Sequence, residues 1–404
     1  MFIPRALESV IEETSASFPV LLLTGPRQVG KTTLLEKMSG PDRNYVTLDD
    51  PMARQLASTD PALFLQRYKT PLIIDEIQYA PQLFPFIKMH VDKSRKNGEF
   101  WLTGSQMFPM MKGVSESLAG RVGVIPMQGL SGAEIGRRES KAWTNDRDSL
   151  LAHADRAFFL SLSDIYSLIH KGFMPGLYKS KQNQERFYAS YIDTYIQRDI
   201  RDLAQVADEL QFQRFLMACA ARTSQMVNYS DLAKDVGISS PTAKKWLSLL
   251  VSSGLIILIE PYYNNALKRV VKAPNMYFMD TGLAAYLTRW TSGDTLEVSA
   301  MSGAFFETFV VSEIVKSFIN AGRRPPLFYY RDSDKREIDL IMEENGILFP
   351  IEIKKKGNPK AKDARHFPIL EKTGKPVGLG TIICLCSDLM PIKEGLWAVP
   401  AWMI

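Results

Sequence analysis

The chain has 404 residues, 46% of them hydrophobic and 23% charged, with a formal net charge of +5. This is too long for one ordinary domain, and the composition excludes bulk disorder. Three cysteines exclude a disulfide framework and four scattered histidines give no zinc spacing. No apolar run approaches the length of a membrane span and the N-terminus has no signal-peptide pattern, so the sequence reads as cytoplasmic, with no membrane partner.

Residues 1–145 alternate short apolar runs (Pro19 to Leu23, Tyr45 to Leu48, Leu72 to Ile74, Phe100 to Leu102) with helix-like stretches. That pattern predicts a parallel sheet covered by helices. The first run leads into Gly25-Pro26-Arg27-Gln28-Val29-Gly30-Lys31-Thr32, and Thr33 opens a helix-like stretch to Met38. This is G-x-x-x-x-G-K-[ST] between a strand and a helix. The glycines let the backbone curl so that its N–H groups and the helix N-terminus face phosphates. Lys31 brings a point charge to the β- and γ-phosphates of ATP, and Thr32 a hydroxyl to Mg2+.

Leu72-Ile-Ile-Asp75-Glu76 reads as a buried strand ending in two acids, Asp75 suited to Mg2+ and Glu76 to activating a water. The strand from Phe100 ends in Thr103, Gly104 and Ser105, hydroxyl groups placed to sense the γ-phosphate or simply to end a strand. In Ser117-Leu-Ala-Gly120-Arg121, before the strand-like Val122 to Ile125, Arg121 is either an arginine finger, in cis or from a second subunit, or a surface arginine.

The set GPRQVGKT, IIDEIQ, LTGS and SLAGR, followed by YIDTYIQRDI, resembles the AAA-type P-loop ATPases of bacteria and archaea with a C-terminal domain of unknown function, DUF4143. The resemblance implies ATP binding by Lys31 and Thr32, hydrolysis through Asp75 and Glu76, and a polar sensor at Thr103 to Ser105. It also includes an Arg198–Asp199 pair without an assigned role.

The polar run Arg137 to Ser149 reads as a linker into a helical section, residues 146–205. Residues 206–298 read as a winged helix. Ser230 can cap a first helix that Gly237 ends, and Ser240 followed by Pro241 can cap a second that Gly254 closes. Strands Leu255 to Ile259 and Val270 to Phe278, joined at Asn264-Asn265, would form the wing. Thr242, Lys244, Lys245 and Ser248 on the second helix, with Lys268, Arg269 and Lys272 on the wing, suit DNA phosphates, or else the module is a lid or docking surface.

Residues 299–404 return to mixed helix and strand. Asn345-Gly346, flanked by alternating apolar residues, predicts a two-residue hairpin turn. In that register Asp339 faces Glu352, with Lys354 on the same side, while Ile338, Leu340, Met342, Phe349, Ile351 and Ile353 form an apolar face. Two like charges across a ladder need an offset, which a divalent metal would supply, with Lys354 assisting a water. Glu307 lies within an apolar helical stripe (Val310, Val311, Ile314, Phe318) and needs a partner, whereas Glu313 points to another side. Glu307, Asp339, Glu352 and Lys354 together resemble the PD-(D/E)xK nuclease fold, although Ile338 stands where a proline often precedes the aspartate.

The expected architecture is therefore α/β: a P-loop AAA-type parallel sheet, a helical lid and winged helix, and a restriction-endonuclease-like C-terminal domain. The expected function is ATP hydrolysis coupled to action on DNA, with Mg-dependent phosphodiester cleavage. The alternative is an ATP-driven regulatory switch that binds a protein partner, with the nuclease-like domain an inactive scaffold; the expected partners are ATP, DNA and either a protein partner or a second copy of the chain.

Overall fold

The computed structural model describes residues 2–105, 114, 116–154, 160–179, 182–196, 209–263 and 273–404. Arg198, Asp199 and the residues expected to form a wing, Asn264, Asn265, Lys268, Arg269 and Lys272, lie outside them.

Five strands, β1 (Val20–Thr24), β2 (Asn44–Thr47), β3 (Leu72–Asp75), β4 (Phe100–Gly104) and β5 (Val122–Pro126), form a parallel sheet in the order β2-β3-β4-β1-β5. Alternation decides what each face buries. Val20, Leu22, Leu72, Ile74, Phe100 and Leu102 pack beneath the helices Pro51–Thr59 and Leu83–Ser94. Leu21, Leu23, Ile73, Trp101 and Ile125 face the other way. They join a core shared with Tyr166 and Phe173 of the helical section and with Phe309 and Ile314 of the long helix Ser302–Asn320.

The polar run expected to be a linker is pinned instead. Trp143 is buried, its backbone N–H donates to Ser317 Oγ at 2.9 Å, and the buried Asn145 donates to Thr381 Oγ1 at 3.1 Å. Its few anchoring residues reach across the chain into the C-terminal part, which local polarity does not reveal.

The middle section contains helices Tyr229–Val236 and Ser240–Ser252. Gly237 closes the first with φ +76°, as its position suggests, but the caps lie elsewhere than expected. Asn228 accepts from the N–H of Ser230 and Asp231, and Ser239, rather than Ser240, accepts from Thr242.

Nine further strands form one sheet in the order β13-β14-β12-β11-β10-β9-β7-β8-β6. They are β6 (Gln225–Met226), β7 (Ile256–Pro261), β8 (Asn275–Phe278), β9 (Leu327–Arg331), β10 (Glu337–Glu344), β11 (Ile347–Lys354), β12 (Gly380–Cys384), β13 (Met390–Lys393) and β14 (Leu396–Pro400). The parallel pairing of β7 with β9 makes the sheet continuous from the middle section into the C-terminal one. Asn345 (φ +52°) and Gly346 (φ +79°) form the β10–β11 turn, and Leu340 pairs with Ile351 in the register counted from it. A bulge between Ile338 and Ile341 breaks the alternation. Ile338 consequently packs with Ile341 and Leu348 on the face opposite to Leu340, Met342, Ile351 and Ile353.

Candidate nucleotide site and C-terminal acid cluster

The phosphate loop leaves the carboxyl end of β1. Gly25 takes φ +140° and Gly30 φ +93°, conformations that glycine reaches without strain. Gly25 is also confined, because a Cβ there would lie 2.0 Å from Met127 O. Gly30 heads the helix Lys31–Met38, whose first turn directs its N–H groups at the loop. Lys31 is buried and its Nζ donates to Gly25 O (3.0 Å) and Pro26 O (2.8 Å), so the ammonium lies within the curl of the loop. Gln28 and Thr33 are exposed, Val29 is buried, and Arg27 donates to Tyr79 Oη at 3.3 Å.

Asp75, at the end of β3, gathers the neighbouring strands. Thr32 Oγ1 donates to its Oδ1 at 2.6 Å and Thr103 Oγ1 to the same oxygen at 2.5 Å, while Tyr45 Oη (3.3 Å) and Thr47 Oγ1 (3.4 Å) approach Oδ2. Burial, and then the Asp75 charge, raise the Tyr45 phenol above its ordinary value. A hydroxyl and a carboxylate so close to the loop are the hard oxygen donors that Mg2+ prefers. Glu76 adopts a left-handed conformation (φ +57°) and its N–H donates to Thr103 Oγ1 at 3.1 Å. Its carboxylate accepts from Gln78 Nε2 and from Ser105 Oγ (3.2 Å). Tyr45, Thr47 and Gln78 went unread in the sequence. Gln78 had the plainer signal, an amide two residues beyond Glu76.

Arg121 does not join this group. Its carbonyl accepts from Val20 N–H at the amino end of β1, so it lies at the opposite end of the sheet, about 13 Å or more from the loop at ~3.3 Å per residue. Its guanidinium pairs with Asp92 and donates to Ala119 O. The in cis arginine finger is thereby corrected. In a parallel sheet a residue preceding its strand lies away from the loops that follow the strands, and that geometry was available from the strand order alone.

The middle section meets the loop directly. Gly254, at φ +74° just after the helix Ser240–Ser252, is so close that a Cβ there would lie 3.0 Å from Gln128 Nε2 and 3.1 Å from Pro26 Cδ. Lys244, Lys245 and Ser248 of that helix are exposed.

In the C-terminal section Asp339, Glu352 and Lys354 come together. Lys354 Nζ is 2.6 Å from Glu352 Oε1 and 3.3 Å from Asp339 Oδ2, and Asp339 Oδ2 also accepts from Ile353 N–H at 2.8 Å. Glu307 lies near enough for its charge to interact with Asp339, but it accepts from Tyr277 Oη at 2.8 Å. Burial first, then the Asp339 charge, push both Glu307 and Glu352 up to about 8. Lys354 is held above its ordinary value, burial being outweighed by Asp339 and Glu352. The expected three-acid ligand set is not formed: among the described residues no three His, Cys, Asp or Glu side chains are grouped to hold a metal ion. Lys354 bridges two of the acids and Tyr277 engages the third. Asp339 and Glu352 remain a hard-oxygen pair whose donor chemistry suits one divalent ion.

Comparison with known proteins matches three stretches of the chain. Residues 17–136 match the model of a family described as AAA domain, residues 162–294 that of a domain of unknown function (DUF8612), and residues 302–404 that of another (DUF4143). The uncharacterized proteins Mb2031c of Mycobacterium bovis and Rv2008c of Mycobacterium tuberculosis are each 29% identical over 387 residues, covering 95% of this chain and 80% of the relative. Among solved structures, the Walker-type ATPase of Pyrococcus abyssi superposes with a TM-score of 0.43 at 16% identity, over 71% of this chain and 96% of that one. The RuvB Holliday junction branch migration motor of Thermotoga maritima does so with 0.29 at 16% identity, over 62% and 85%. No helix among the described residues is long and apolar enough to cross a membrane. The parallel α/β sheet thus lies within the stretch that matches the AAA domain model, and strands β9 to β14 of the mixed sheet lie within the stretch that matches the DUF4143 model.

Proposed function

We infer that the chain binds ATP with Mg2+ at the phosphate loop and hydrolyses it. The observation that carries this reading is the convergence of Thr32, Thr103 and Asp75, from a helix and two strands, beside the curl that contains Lys31. Thr32 and Asp75 would hold Mg2+, which supplies neutralising charge to the phosphate oxygens. Lys31 exchanges its two carbonyl partners for β- and γ-phosphate oxygens, and loop N–H groups bind the rest. Glu76, steadied by Gln78 and Ser105, would take a proton from the water whose oxygen bonds to the γ-phosphorus, while the bond from that phosphorus to the β–γ bridging oxygen breaks and ADP and inorganic phosphate are released. Titration with a fluorescent ATP analogue and a phosphate-release assay test the reading. Lys31→Ala should abolish both signals, and normal turnover in that variant overturns it.

A second reading gives the chain DNA as a partner and metal-dependent phosphodiester cleavage as a further activity. It is supported by the exposed Lys244 and Lys245 and by carboxylates crowded around one lysine, an arrangement costly to keep without a use for it. Asp339 and Glu352 would hold the ion and Lys354 would meet charge on the phosphate. Plasmid cleavage in Mg2+ or Mn2+ is the measurement, and its persistence in an Asp339→Ala, Glu352→Ala protein excludes this site. A chain that hydrolyses ATP slowly, without DNA stimulation or salt-dependent DNA affinity, is instead the switch for a protein partner.

A further inference from the structure

Four buried charges that neither reading uses connect the phosphate loop to the long helix of the C-terminal section. Arg5, close to the amino terminus, donates from Nη1 to Val29 O (2.8 Å) inside the phosphate loop, and from Nη2 to Gln128 O (2.8 Å) just beyond β5. Its Nε pairs with Glu134 Oε1 at 2.9 Å, the two side chains being 4% and 2% exposed. Glu134 also takes the N–H groups of Ala6 and Ser131, both at 2.8 Å. The segment from Gln128 to Glu134 is thus clamped to the loop on one side.

Its other side is held by the helix Ser302–Asn320. Glu313 Oε2 accepts from Gly132 N–H at 2.7 Å, Lys316 Nζ donates to Leu130 O at 3.1 Å, and the two side chains pair at 2.7 Å while 2% and 1% exposed. Lys316 also lies over the Phe173 ring, 3.5 Å from its centre. Two fully desolvated ion pairs are an expensive way to hold a fold, since apolar residues of similar volume commonly serve as well or better. They do impose directional bonds, so a shift at one end is felt at the other as a lost or strained hydrogen bond. The same helix bears Glu307, six residues upstream of Glu313 and on a different side, in the acid cluster.

We propose that Arg5, Glu134, Glu313 and Lys316 are positioning residues forming a strut through which nucleotide at the phosphate loop alters the helix that bears Glu307. The proposal rests on the nucleotide reading above. When phosphates recruit Lys31 and the loop N–H groups, the Val29 carbonyl moves with the loop. Arg5 carries that movement to the Gln128–Glu134 segment, and Glu313 and Lys316 pass it to the helix.

Hydrogen–deuterium exchange on the full chain with and without MgADP tests it. In the wild type, amides of residues 305–320 should change their exchange rate by at least about fivefold, the low end of ordinary coupling between sites. In a Glu313→Gln, Lys316→Met protein, which removes both charges together, MgADP should bind as before while that response disappears. If the double variant does not fold, Glu313→Gln alone, which keeps an acceptor for Gly132 N–H, should reduce the response at least about fivefold by the same reasoning. Wild-type protein that binds MgADP without any change over residues 305–320 overturns the strut, as does a full response in a folded variant. Wild-type protein that binds no MgADP overturns the nucleotide reading on which the strut rests.

Discussion

Thr32 and Asp75 lie 43 residues apart in the chain, yet the Thr32 hydroxyl donates to Asp75 Oδ1 at 2.6 Å. The bond joins the first turn of the phosphate-loop helix to the end of β3, the two places proposed above to hold a metal-bound phosphate. Asp75→Asn keeps an acceptor for Thr32 but loses the charge, so MgATP affinity should fall while affinity for metal-free ATP changes little. Nucleotide titrations with and without EDTA separate the two.

Glu76 should behave differently from Lys31. Glu76→Gln leaves the loop and the Thr103 bond to the backbone in place but removes the base. Binding should survive while turnover falls by about 10²–10⁴, the usual contribution of a positioned general base. Single-turnover phosphate release is the measurement, and a rate within a factor of two of wild type would remove Glu76 from the mechanism.

Arg121, at the far end of the sheet and paired with Asp92, should have no effect in an isolated copy. Arg121→Ala is expected to hydrolyse ATP at the wild-type rate at high dilution. If a second copy brings its arginine to this site, the wild-type specific activity will rise with protein concentration and that of the variant will not.

Gly254 and Gly237 form a matched pair. Both hold a positive φ, so alanine at either should cost about 1–2 kcal/mol of stability in strain. Around Gly237 nothing lies within 4 Å of an added Cβ, whereas at Gly254 it would press on Pro26. Denaturant unfolding should therefore show similar losses, but only Gly254→Ala should weaken nucleotide binding.

The acid cluster carries a pH signature. Glu307 and Glu352 titrate near 8 in the folded chain and near 4.5 in the unfolded one. Between those values the folded state binds more protons, so the slope of unfolding free energy with pH is negative. Their contribution is complete below about pH 4.5 and is lost as the pH rises through about 8. Melting temperatures measured across that window should fall less steeply for Glu352→Gln than for the wild type; equal slopes would mean Glu352 is not the titrating group.

Local patterns settled much of this protein. Apolar runs bounded by turn residues marked all five strands of the parallel sheet to within two residues; the central β1, β3 and β4 are buried on both faces and have little choice of composition. Asn345-Gly346 determined its hairpin register, because a two-residue turn leaves only one pairing. The loop from Gly25 to Thr32 and the acids Asp75 and Glu76 at the end of β3 stood out for the same reason: they are neighbours in sequence. Only the tertiary structure decided the rest. Arg5 meets Val29 across 24 residues, Glu313 meets Gly132 across 181, and the bulge that turns Ile338 to the other face depends on how β9 lies beside β10. Those contacts depend on how separate elements stack, and stacking is set by the summed burial of many side chains rather than by any short stretch that contains the residue.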